Sequence, residues 1–102
     1  MADQNAAEQG TDRTMYQLAD EFIALANKLF QEEKDIGKAG AAIRFAAARF
    51  NAFEASLKAQ DLSKEKEHAL EWFVNEYKQM MEVNLDDHIA MAAREQEAAK
   101  SE

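Results

Sequence analysis

The sequence predicts an all-α protein: an antiparallel three-helix up-down-up bundle with a short fourth C-terminal helix. Three observations carry that prediction. Proline is absent and only three glycines occur in 102 residues, so little interrupts a helix. Apolar residues recur at spacings of three and four along three long stretches, the period of an amphipathic helix. The segments between those stretches are short, and short connections join antiparallel neighbours.

Residues 1–11 (MADQNAAEQGT) are polar and aperiodic, the pattern of a disordered lead. The first helix, about 12–33, starts with Thr11 or Asp12 as its cap. Met15, Leu18, Phe22, Leu25 and Leu29 form its main seam. Tyr16, Ile23 and Phe30 recur every seven residues about 100° away, a second apolar face that must meet another helix, the tail or another chain. Residues 31–40 (QEEKDIGKAG) are charged and hold two glycines, which marks a turn.

The second helix, about 39–59, is the expected centre of the bundle. Ala39, Ala42, Ile43, Ala46, Phe50, Phe53 and Leu57 share one face, Phe45 and Ala52 widen it, and only a narrow stripe is polar. After a turn at residues 58–63 (KAQDLS), Asp61 or Ser63 caps a third helix, about 63–83, which buries Leu70, Phe73, Val74, Tyr77, Met80 and Met81. Continued unbroken, that helix would carry Asn84 and His88 on the buried stripe and swing Leu85 and Ile89 off it. Asn84 is a good N-cap, and Asp86 and Asp87 would fall in the first turn of a new segment, where carboxylates suit the helix dipole. A break at Asn84 is therefore expected, then a helix over 85–93 and a frayed tail over 94–102.

The formal charge is −8, from 12 basic and 20 acidic residues, which disfavours nucleic acid and anionic membrane surfaces as partners. Residues 61–102 hold net −6 of it and residues 1–60 net −2, so a basic partner would be drawn to the C-terminal half. The absence of cysteine excludes disulfides and cysteine-based zinc sites and agrees with a reducing compartment. The polar opening residues lack the apolar core of a signal peptide and no apolar run has spanning length, so the expected location is cytoplasmic.

Three stretches, residues 16–29 (YQLADEFIALANKL), 41–55 (AAIRFAAARFNAFEA) and 84–89 (NLDDHI), resemble a proteobacterial family of small proteins described only as a domain of unknown function. The resemblance runs from about residue 14 to residue 90. It implies a bacterial origin and a small helical fold, and no chemistry.

Among single residues, Arg49 lies on the flank of the second helix nearer the apolar face than the polar stripe. A buried guanidinium needs a carboxylate, with Asp20, Glu21 and Glu76 as candidates, so an inter-helix ion pair is expected ahead of an anion site. Trp72 lies about 130° from the centre of the buried stripe, near Val83 in angle. Either the last helix folds back to cover it with Leu85 and Ile89, or its indole anchors a partner. Glu65 and His68 have the spacing of a di-iron ligand pair, but that motif needs a second copy and two more inward glutamates. Asp86, Asp87 and His88 are explained by capping and exposure. Met80, Met81 and Met91 read as gap-fillers, the GKAG at residues 37–40 has no P-loop spacing, and no nucleophile–base motif is present.

The function expected from these residues is non-enzymatic: an interaction or scaffold bundle using Tyr16, Ile23, Phe30, Trp72 and Val83 for a homodimer or another protein's helix. No cofactor, metal or catalytic residue is assigned. The alternative is a small ligand- or anion-binding bundle, or an enzyme, with Arg49 and residues 86–88 in a pocket, although a core of Ala and Phe leaves little room for one.

Overall fold

The computed structural model describes residues 10–101, so the lead assigned to residues 1–11 lies outside it except for Gly10 and Thr11. Three helices follow in order: α1 (Met15–Glu33), α2 (Ile36–Lys58) and α3 (Leu62–Ser101).

Helix α1 starts at Thr14 and not at Thr11 or Asp12, and a reciprocal pair of hydrogen bonds explains why. The Thr14 hydroxyl accepts from the Gln17 N–H at 3.2 Å, and the Thr14 N–H donates to the Gln17 side-chain oxygen at 2.8 Å. This capping box satisfies two backbone donors at once, whereas the Thr11 hydroxyl is occupied by Arg13. Helix α1 ends on Lys34, whose φ of 56° lies in the left-handed region and whose N–H donates to the Phe30 carbonyl at 2.7 Å.

Asp35 then caps α2, its carboxylate accepting from the Lys38 N–H at 3.1 Å. Helix α2 consequently opens at Ile36, and Gly37 and Gly40, expected in the turn, are helical. At the next turn Asp61 is the cap. Its carboxylate accepts from the N–H and the hydroxyl of Ser63, while its own N–H donates to Glu65 at 3.0 Å.

Helix α3 departs most from expectation. It continues through Asn84 and residues 85–101 without a break, so the short fourth helix is absent and residues 94–101 are helical. The Asn84 side-chain amide does not cap; it donates to the Met80 carbonyl at 2.7 Å, one turn back in the same helix. An interior Asn costs a helix only a few tenths of a kcal/mol. No Gly or Pro lies between residues 62 and 101, and the alanines at 90, 92, 93, 98 and 99 favour continuation. A change in which residues face the stripe does not by itself break a backbone.

The helices divide into two compact units, Met1–Ala52 and Phe53–Glu102, and the expected up-down-up arrangement is not supported. Only Ala39 is buried among the described residues, at 7% exposure. In the first unit partial burial falls on Ala19, Ala26 and Leu29 of α1, of which only Leu29 belongs to its expected seam, on Gly40 and on Asn51. In the second it falls on Glu54, Ala55, Ala59, Ala69 and Phe73. The face that was to make α2 a central helix is exposed at Ile43, Phe50, Phe53 and Leu57, and the α3 stripe at Leu70, Val74, Tyr77, Met80 and Met81. The one buried residue is an alanine, and of the large apolar side chains only Leu29 and Phe73 are partly buried among the described residues. The ion pairs, such as Arg13–Glu21 and Lys38–Glu33, are solvent-exposed and contribute little each.

Thr14→Ala removes the capping box and is expected to lower stability by about 1 kcal/mol. Lys34→Gly relieves the left-handed strain and is expected to raise it by about 0.5–1 kcal/mol. Urea unfolding followed by circular dichroism, at one protein concentration, checks both.

Candidate interaction surface

In the second unit the last turn of α2 and the first turns of α3 enclose an open hollow of about 230 Å³. Ala55, Ala59, Leu62, Ala69, Trp72 and Phe73 line it with apolar surface, and Glu54, Lys58, Glu65 and His68 supply its polar edge. Three alanines make the space. The rings of Trp72 and Phe73 meet edge to face, with centroids 5.0 Å apart, which holds the indole beside the hollow while 53% of the residue remains exposed. A space of this size, open on one side, is below the range of sites that enclose a cofactor or drug-sized ligand.

The polar edge is largely engaged in structural bonds. Lys58 pairs with Glu54 at 3.1 Å, and the Glu65 carboxylate accepts from the Asp61 N–H. Glu65 therefore serves the start of α3. Among the described residues no three His, Asp or Glu side chains come together where they could hold a metal ion.

Trp72 is not covered by a returning C-terminal segment. Leu85 and Ile89 lie on the same unbroken helix, about 20 Å and 25 Å further along its axis, out of reach of the indole. Val83 is also exposed on α3. In the first unit Tyr16, Ile23 and Phe30 are on α1 and exposed, Tyr16 at 78%. The five residues expected to interact thus occupy two units, and the hollow beside Trp72 was not anticipated from hydropathy. The only available signal was the alternation of Ala55, Ala59 and Ala69 across a short turn.

Arg49 differs from expectation in the same way as the α2 face that carries it. It is exposed, so its charge is hydrated and requires no carboxylate. Its guanidinium lies 5.3 Å from the centroid of the Phe45 ring, one turn back in α2. Glu21, one of its candidate partners, pairs with Arg13 at 2.8 Å. Arg49 is not among the residues lining the hollow. Asp86, Asp87 and His88 are exposed in the interior of α3, far from its own N-terminus, where carboxylates would suit the helix dipole.

No helix of the described residues is long and apolar enough to cross a membrane. The model of a family described as Protein of unknown function (DUF3144) matches residues 15–89, which takes in α1, α2 and α3 as far as Ile89. No curated protein and no solved structure matches the chain.

Trp72→Ala and Arg49→Ala are each expected to cost about 1 kcal/mol or less, since neither residue is buried; a buried Trp would cost about 3–5 kcal/mol and a broken buried ion pair about as much. Denaturant unfolding of the two variants separates these cases.

Proposed function

The chain belongs to DUF3144, a family of proteins of unknown function, and from that premise we propose that it is a non-enzymatic helical interaction module that buries its apolar faces against another helix. One observation carries the reading: large apolar side chains are exposed along all three helices while only Ala39 is buried among the described residues. A folded chain that leaves contiguous apolar stripes in water is stabilised by whatever covers them, and such stripes mark protein interfaces. The first unit offers Tyr16, Ile23 and Phe30. The second offers Trp72 with the hollow beside it, and Val83.

The acidic surface keeps the free chain soluble and steers it away from nucleic acid and anionic lipid. A bacterial cytoplasm is the proposed setting, supported by the lack of cysteine. A ligand site or enzyme centred on Arg49 gains nothing from the geometry, because its guanidinium sits on its own helix and outside the hollow.

Light scattering combined with hydroxyl-radical footprinting tests the interaction reading. The expected result is either self-association, or a monomer in which Tyr16, Phe30 and Trp72 react as exposed side chains. A monomer in which Tyr16, Ile23, Phe30 and Trp72 are all protected would remove the basis for an interaction module.

A further inference from the structure

The unbroken course of α3 has a consequence for self-association. At about 1.5 Å per residue α3 is roughly 60 Å long, against about 28 Å for α1 and 34 Å for α2, so neither of the other helices can cover its length. Along it, Leu70, Val74, Tyr77, Met81, Asn84, His88, Met91, Glu95 and Ala98 follow one another at alternating steps of four and three. That is the spacing of a coiled-coil seam. Every one of these residues is exposed. The seam is apolar in its first half and polar at Asn84, His88 and Glu95, so a partner must answer those three side chains at their own heights.

We infer that the partner is a second copy of this chain, lying antiparallel along α3 about a two-fold axis that passes midway between Asn84 and His88 of the seam. The inference rests on the interaction reading above and names the occupant of one face. In an antiparallel pair the two kinds of seam position face each other, and about that axis each polar residue meets a group that can bond it. Asn84 faces His88 of the second copy. Its amide N–H₂ already donates to the Met80 carbonyl, leaving the side-chain oxygen to accept from the imidazole N–H. Tyr77 faces Glu95, placing a phenol O–H opposite a carboxylate acceptor. Met81 faces Met91, and Val74 faces Ala98. Because the axis repeats each pairing, the seam is matched from Val74 to Ala98, about 36 Å of helix.

Other arrangements of the same two helices fail on the same residues. A parallel pair sets Glu95 and His88 each against its own copy. Sliding the antiparallel register by one heptad places Asn84 against Met81 and Glu95 against Leu70 in one direction, and His88 against Met91 in the other. A polar seam residue facing an apolar one loses its hydrogen bond on desolvation, and polar positions specify register in this way. At the rim Asp87 approaches its own copy, a repulsion that solvent and salt screen.

The chain has no cysteine, so single-cysteine variants report on one position each. Full-length Met81→Cys and Met91→Cys proteins, one lengthened by a tag, are mixed, oxidised with glutathione disulfide and separated without reductant, with light scattering of the unmodified chain alongside. The expected product joins one tagged to one untagged chain, at least about tenfold above any disulfide formed by either variant alone, because identical thiols sit about 15 Å out of register and beyond disulfide reach. Val74→Cys with Ala98→Cys repeats the test at the far end of the seam and serves if either methionine variant fails to fold. Equal cross-linking within each variant alone overturns the antiparallel pairing. A dimer by light scattering without the mixed disulfides overturns this inference and leaves the interaction reading standing. A monomer overturns the pairing too, and the footprinting pattern then decides the interaction reading by itself.

Discussion

The N–H groups at the start of a helix must find acceptors, and in this chain the caps at Thr14, Asp35 and Asp61 meet that requirement and so set where each helix begins. With Asp35 in that role the first connection shrinks to Lys34 and Asp35, and both nearby glycines are drawn into α2. With Asp61 in that role α3 starts at Leu62, and nothing in the following sequence offers a better termination before Ser101. The lengths of the helices, and hence the mismatch between α3 and the other two, follow from these three side chains and the lack of proline.

The helical class and the number of long helices were legible from composition and from spacings of three and four, and the third cap was narrowed to Asp61 or Ser63, of which Asp61 serves. The start of α1 was also legible, but in the pair Thr14 and Gln17 and not in the nearer-looking Thr11 or Asp12. The break at Asn84 was a misreading of a real signal. The wheel correctly shows that polar residues enter the stripe at 84 and 88, and the inference that the backbone must therefore turn does not follow. Periodicity reports on faces, whereas chain direction depends on backbone propensity and caps. Burial was the least legible property. A helix such as α2, apolar around most of its circumference, indicates that neighbours are needed without saying that the same chain provides them.

Arg49 and Trp72 show the same limit at the level of single residues. Both were singled out because a charge and a large ring beside apolar positions need an explanation if the surroundings are dry. With α2 and α3 exposed, Arg49 is satisfied by water and the Phe45 ring, and Trp72 by Phe73 and an open hollow. The hollow depends on three alanines, and small residues leave little trace in a hydropathy pattern.

The 40-residue length of α3 has a consequence for the life of the protein under the proposed pairing. An isolated helix is marginal in water, so under the proposed pairing the far end of α3 gains order from the second copy. With that pairing, order in the segment is coupled to the amount of protein present, and dilution loosens it. Newly made or scarce chains would expose a peptide that proteases can open, whereas abundant or partnered chains would conceal it. The long helix would thereby link the protein's turnover to its state of assembly.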